Sequence, residues 1–115
     1  MPNFIIDCSE SLLEKHEVAV INEKVYEAAL SSGLFADGAN IQVRLNPYKD
    51  SFMAGKRNEG MHVFARILEG RTKEQKLDLS KKVITVLAEL FPDVENIGMD
   101  VLDLDKGVGF SKKRL

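Results

Sequence analysis

The chain has 115 residues, 44% of them hydrophobic, and a formal net charge of −2; this is enough apolar material for one buried core, and a single domain over residues 1–115 is expected. The near balance of charge excludes a global field that would draw the protein to nucleic acid or an anionic membrane. Cys8 is the only cysteine, which excludes an internal disulfide and fits a reduced compartment, and no apolar run reaches signal or bilayer-spanning length. A soluble, cytoplasmic protein is therefore expected, with Lys112-Lys113-Arg114 as a solvated tail.

Residues 3–8 carry Phe4, Ile5 and Ile6 directly after a proline and predict a strand. Ser11 and Glu14 stand in capping-box spacing, and Val18, Ile21, Val25 and Ala28/Ala29 recur on one helical face, which predicts a helix of about five turns ending near Gly33. Ile41, Val43 and Leu45 then alternate with Gln42, Arg44 and Asn46, the pattern of a strand with one apolar and one polar face. Residues 46–60, with Pro47, Lys49, Gly55, Lys56 and Arg57, read as a polar loop.

A third strand is expected over residues 61–69. After Gly70-Arg71, Thr72 and Gln75 have capping-box spacing ahead of a second helix bearing Leu77, Ile84, Leu87 and Phe91, which Pro92 closes. A strand over residues 97–104 and a short extended piece over residues 108–110 complete the order.

This order is one split βαβ unit repeated, an α+β architecture. Right-handed crossovers favour both helices on one face of a four-stranded sheet. The other face would be bare, and with residues such as Val63, Phe64 or Ile67 on it it is expected to be covered in a homo-oligomer.

Proline at position 2 supplies a secondary amine if Met1 is removed. An α-amino group has a pKa of about 8, a prolyl amine is somewhat more basic, and desolvation or nearby positive charge lowers either value. A neutral amine near neutral pH can take a proton beside a carbonyl and return it elsewhere, which is the requirement for keto-enol and allylic isomerisation. Arg71 stands at the start of a helix, where backbone N–H groups and the helix dipole already favour an anion. A cation there makes sense if a ligand carboxylate, or a buried acidic group, forks onto it; otherwise it is an exposed loop arginine. Arg44 either turns toward the N-terminus or pairs across strands with an acid such as Glu69 or Asp103, and Gln42 shares its face.

His16 reads as a solvated helix residue. His62 lacks a metal-ligand partner, and Cys8 lacks the histidine expected beside a nucleophile. Gly107-Val108-Gly109 reads as a turn, since no phosphate-loop lysine follows. With no zinc spacing, dinucleotide fingerprint or P-loop, neither cofactor nor metal is expected.

Pro2 opening a strand, the doubled βαβ order and the turn Gly70-Arg71-Thr72 leading to Gln75 resemble the tautomerase superfamily. The opening Pro2-Asn3-Phe4-Ile5-Ile6-Asp7-Cys8-Ser9 resembles the start of 5-carboxymethyl-2-hydroxymuconate isomerases nearly residue for residue, and weaker similarity extends over most of the chain. The resemblance implies a cytoplasmic homotrimer with its sheets around a central barrel and active sites near subunit boundaries. It also implies conversion of 5-carboxymethyl-2-hydroxymuconate to its keto isomer in 4-hydroxyphenylacetate (homoprotocatechuate) degradation, an aromatic-compound pathway.

In that family the proline shuttles the proton and arginines bind the carboxylates of a small enol acid. Pro2 and Arg71 match, whereas Gln42 occupies the place of a second family arginine and Arg44 lies two residues on. Either Arg44 substitutes or the pocket takes a substrate with fewer carboxylates. The alternatives are a tautomerase of another enol or unsaturated acid, and a non-catalytic trimeric binding protein of the same fold.

Overall fold

In the first strand, β1 (Asn3–Ser9), Phe4, Ile6 and Cys8 are fully buried on one face, while Asn3, Ile5 and Asp7 lie on the other, where Ile5 is also buried. The computed structural model that shows this describes residues 2–36, 38 and 40–115. Met1, whose removal the expectation for Pro2 requires, lies outside them.

Ser11 and Glu14 do not cap a helix. They lie in a 3-10 turn, Glu10–Glu14, drawn inward by buried Leu12, and the Ser11 hydroxyl donates to Glu59. Helix α1 (Val18–Ser31) starts beyond that turn with no side-chain cap, so it has about four turns rather than five. Its end is marked by Gly33 at φ +73, a conformation open to glycine at little cost.

The strand β2 (Gln42–Tyr48) runs past Leu45 to include Pro47. A proline is tolerated because β2 is an edge strand, where a missing N–H leaves no partner unpaired. The expected polar loop instead holds a hairpin of β3 (Phe52–Met53) and β4 (Lys56–Arg57). It turns on Ala54 and Gly55, both at positive φ, the geometry that suits a two-residue hairpin turn.

Next come β5 (Gly60–Leu68), α2 (Lys73–Leu90) and β6 (Asn96–Leu104). The capping box at α2 forms as expected: Gln75 N donates to Thr72 Oγ1 at 3.1 Å, and Thr72 N donates to Gln75 Oε1 at 2.8 Å. That cap fixes the helix phase so that Leu79, Val83 and Leu87 point inward, followed by Phe91. Leu77 falls off this stripe and is 55% exposed, contrary to expectation.

The sheet order is β2-β1-β5-β6. The pairs β1–β2 and β5–β6 are parallel and each is bridged by one helix, while the central pair β1–β5 is antiparallel. Strand residues Phe4, Ile6, Val63 and Ile67 form one core cluster with Ile21 and Val25 of α1 and Leu79 and Val83 of α2, so both helices cover one face. Val63 and Ile67 therefore belong to the helix side and are fully buried. Of the three residues expected on the bare face only Phe64 is there, opposite Ile5 in the register. Leu68, Leu102 and Leu104, all partly exposed, share that face.

Residues 108–110 form no strand, having no neighbouring strand to pair with; Val108 and Phe110 are exposed. The chain ends in a 3-10 turn, Lys112–Arg114, in which Arg114 Nη1 donates to the Gly109 carbonyl at 3.1 Å. Among the described residues no helix is long and apolar enough to cross a membrane.

Candidate active site at the Pro2 end of the sheet

Pro2 stands one residue before β1, and its carbonyl accepts a hydrogen bond from Gln42 N at 3.0 Å. Because Asn3 pairs with both Gln42 and Arg66, Pro2 lies at the sheet end where β5 runs out into Leu68, Glu69 and Gly70. The start of β1, the start of β2, the end of β5 and the entry to α2 therefore meet here.

Arg71 is fixed at this end by three contacts. Nη2 donates to the Leu34 carbonyl at 2.9 Å, Nη1 donates to the Leu68 carbonyl at 3.1 Å, and the guanidinium lies over the Phe35 ring at 5.2 Å. Phe35 packs edge-on against Phe4 with ring centroids 6.1 Å apart. An unbroken chain of contacts thus runs from the strand that Pro2 opens to the guanidinium. The remaining N–H groups of Arg71 have no protein acceptor among the described residues. They border a cleft of about 480 Å³ lined by Gly33, Leu34, Leu68, Glu69, Gly70, Arg71, Gln75 and Lys106. Arg71 is half-buried rather than an exposed loop arginine.

The side chains of Gln42 and Arg44 take a different direction. In the register, Gln42 is level with Asn3 and Arg44 with Ile5, so both lie on the open face of the sheet, as their shared periodicity predicts. Arg44 forms no ion pair with Glu69 or Asp103; Asp103 is instead held by Lys76 at 3.0 Å. The four expected site residues therefore divide: Pro2 and Arg71 occupy the rim at one end, and Gln42 and Arg44 stand on the open face beside it. Arg66 is on that face too, opposite Asn3. The Asn3 side-chain oxygen is buried and has no donor among the described residues.

The other candidates are structural. His16 is not a solvated helix residue: it precedes α1, its Nε2 donates to the Leu90 carbonyl at 2.8 Å, and its ring packs edge-on against Phe91. His62 Nε2 donates to Asp100 Oδ2 at 3.0 Å across the open face. Cys8 is buried, and burial pushes its thiol pKa up to about 11, the opposite of what a nucleophile requires. Among the described residues no cluster of three or more His, Cys, Asp or Glu could hold a metal.

A second cleft, of about 360 Å³, lies at the opposite end of the sheet beside Tyr48, Gly60 and His62. There Gly60 N donates to Ser9 Oγ at 2.9 Å, and Tyr48 Oη donates to the Gly60 carbonyl at 3.2 Å. Its polar groups are thus engaged in joining strand ends.

Sequence reasoning missed Lys106. It lines the Arg71 cleft only because the turn after β6 folds back over Gly70, and no local spacing signals such a return.

The sequence pattern of a family described as 5-carboxymethyl-2-hydroxymuconate isomerase matches residues 2–102. No curated protein sequence matches the chain. Among solved structures, N1, a member of the cis-3-chloroacrylic acid dehalogenase family, superposes with a TM-score of 0.81 at 16% identity, covering 96% of this chain and 80% of that one. A fused 4-OT wild-type symmetric trimer superposes with a TM-score of 0.80 at 13% identity, covering 96% and 94%. Pt0534 inactivated by 2-oxo-3-pentynoate gives 0.78 at 21% identity, covering 96% and 91%. At these identities the structural likeness establishes the tautomerase-type fold.

Proposed function

From the premise that the chain belongs to the 5-carboxymethyl-2-hydroxymuconate isomerase family, and is thus an isomerase-type enzyme, we propose that it isomerises 5-carboxymethyl-2-hydroxymuconate through the amine of Pro2, freed by loss of Met1. The reading is supported by the topology, which sets Pro2 and the cleft bordered by Arg71 at the same end of the sheet, although Pro2 does not itself line that cleft. In the reaction the neutral amine takes the proton of the dienol hydroxyl, becomes an ammonium, and returns a proton to a distal carbon, leaving the keto isomer and the amine as it began. Arg71 forks onto a substrate carboxylate and opposes the negative charge that spreads through the conjugated system. Its bonds to the Leu34 and Leu68 carbonyls hold the guanidinium in place before substrate arrives, so little reorganisation is needed.

The working form in this reading is a cytoplasmic homotrimer; the fused 4-OT structure of the same fold is a symmetric trimer. Three features support an assembly through the open sheet face: the partly exposed Leu68, Leu102 and Leu104, the unpaired Asn3 oxygen, and an edge strand at each side of the sheet. A neighbouring copy would then bring Gln42 and Arg44 to a subunit boundary. Because Gln42 carries no charge, a second reading is a tautomerase acting on an enol acid with fewer carboxylates.

Pt0534 is inactivated by 2-oxo-3-pentynoate, whose triple bond, conjugated to a carbonyl, accepts an amine by conjugate addition. Incubating Met1-free protein with this reagent and mapping the adduct by peptide mass spectrometry tests the role of Pro2. A single adduct on the Pro2 nitrogen is expected. Labelling elsewhere, or none under conditions that inactivate Pt0534, would overturn the assignment.

A further inference from the structure

The cleft at the Pro2 end holds a second cation that neither periodicity nor family resemblance points to. Lys106 follows β6, and its backbone N–H donates to Glu69 Oε2 at 3.0 Å. This bond pins the turn while leaving the ammonium unengaged: among the described residues no carboxylate lies within ion-pair distance of Lys106 Nζ. Gly70, at φ +121, leaves the space above it open, and a Cβ built there would stand 3.4 Å from Lys106 Nζ. The ammonium thus lies over the backbone next to Arg71, and both side chains line the same cleft.

Three positive features crowd this corner: the Arg71 guanidinium, the Lys106 ammonium and the positive end of the α2 dipole. The one carboxylate lining the cleft, Glu69, is engaged by a backbone N–H rather than by either cation. Neighbouring cations that form no ion pair repel one another, and an anion placed between them relieves that repulsion. Arg71 is rigidly held and forks onto one carboxylate, whereas Lys106, on a flexible stem, can reach a second one of variable position.

We propose that Lys106 is the second carboxylate-binding residue of the site, taking the part that the uncharged Gln42 cannot, and that it selects acids with two or more carboxylates over monocarboxylic enols. The proposal deepens the isomerase reading and rests on it for the identity of the substrate, but not for the binding itself.

The test uses the full-length, Met1-free protein and a stable probe, tricarballylate (propane-1,2,3-tricarboxylate), titrated calorimetrically at low salt into wild type, Lys106→Gln and Lys106→Arg. Because the Lys106 side chain is exposed and its anchoring bond uses the backbone, both variants should keep the wild-type melting temperature. The expected result is binding weakened about tenfold or more in Lys106→Gln, largely restored in Lys106→Arg, with a shallower salt dependence in the glutamine variant. In parallel, KM for 5-carboxymethyl-2-hydroxymuconate should rise in Lys106→Gln by more than kcat falls and recover in Lys106→Arg, and calorimetric titration with the monocarboxylate butyrate should not discriminate the three proteins.

Equal tricarballylate affinity in wild type and Lys106→Gln, or no binding to wild type at millimolar probe, would overturn the proposal. If Lys106→Gln weakens the probe while Pro2→Ala retains wild-type turnover, the carboxylate site stands and the proline reading fails, so the two failures are separable.

Discussion

Replacing Arg71 by lysine keeps the charge but removes the fork, and the structure gives the size of the consequence. Arg71 joins two segments that no strand pairing connects, through the Leu34 and Leu68 carbonyls at 2.9 and 3.1 Å, and rests on Phe35 at 5.2 Å. A lysine ammonium can recover one of the two hydrogen bonds but not both, and it loses the planar contact with the ring. Each hydrogen bond contributes about 0.5–1.5 kcal/mol net and a partly exposed cation–π contact about 0.5–1 kcal/mol. Arg71→Lys should therefore destabilise the fold by about 1–2 kcal/mol, which for a domain of this size lowers Tm by about 4–8 °C. Differential scanning calorimetry of both proteins at the same concentration measures the difference, since the Tm of an oligomer depends on concentration. Turnover should fall by about a hundredfold or more, since a mispositioned charge no longer meets the substrate carboxylate. An unchanged Tm would refute the claim that Arg71 is pre-positioned by these contacts, even if activity were lost.

Two further predictions concern the scaffold. At Gly60 an added Cβ would lie 2.4 Å from the Asn96 carbonyl oxygen, a backbone atom that cannot step aside alone; Gly60→Ala should cost about 1–3 kcal/mol and open the β5–β6 pairing at that end. Chemical denaturation and loss of amide-exchange protection at the start of β6 would show it, and a wild-type midpoint would contradict it. Cys8 gives a pH signature: its folded thiol keeps its proton from the ordinary 9.0 up to about 11, so in that window the unfolded chain binds fewer protons than the folded one. Stability is then level below pH 9 on this account and falls as pH rises through the window, by on the order of 2–3 kcal/mol. Denaturation midpoints of wild type and Cys8→Ala should converge as pH rises, and parallel pH profiles would refute the assignment.

Much of the fold was legible because its signals are local. The alternation around Phe4, Ile6 and Cys8, the Thr72–Gln75 box and Pro92 after α2 each depend on neighbours a few residues away. Where the reading failed, a distant contact decided. Ser11 has a capping partner at the right spacing, yet Glu59 takes its hydroxyl. Val63 and Ile67 alternate as Phe64 and Arg66 do, and only the pairing with β1 determines which set meets the helices. Pro47 argues against a strand until β2 is known to be an edge.

The site divides in the same way. Pro2 and Arg71 stand out because a proline at position 2 opening a strand and a cation at a helix entry are locally unusual. Lys106 is an ordinary lysine until the turn after β6 carries it over Gly70. Gln42 and Arg44 share a face as their spacing requires, but spacing does not reveal that the face is the open one.

The most direct measurement for the central claim is the rate of 5-carboxymethyl-2-hydroxymuconate isomerisation, followed by ultraviolet absorbance, for Met1-free protein beside Pro2→Ala. The account predicts rapid wild-type turnover that collapses by several orders of magnitude in the variant while its Tm is retained. Equal rates in the two proteins, or a wild type no faster than the uncatalysed reaction, would contradict it.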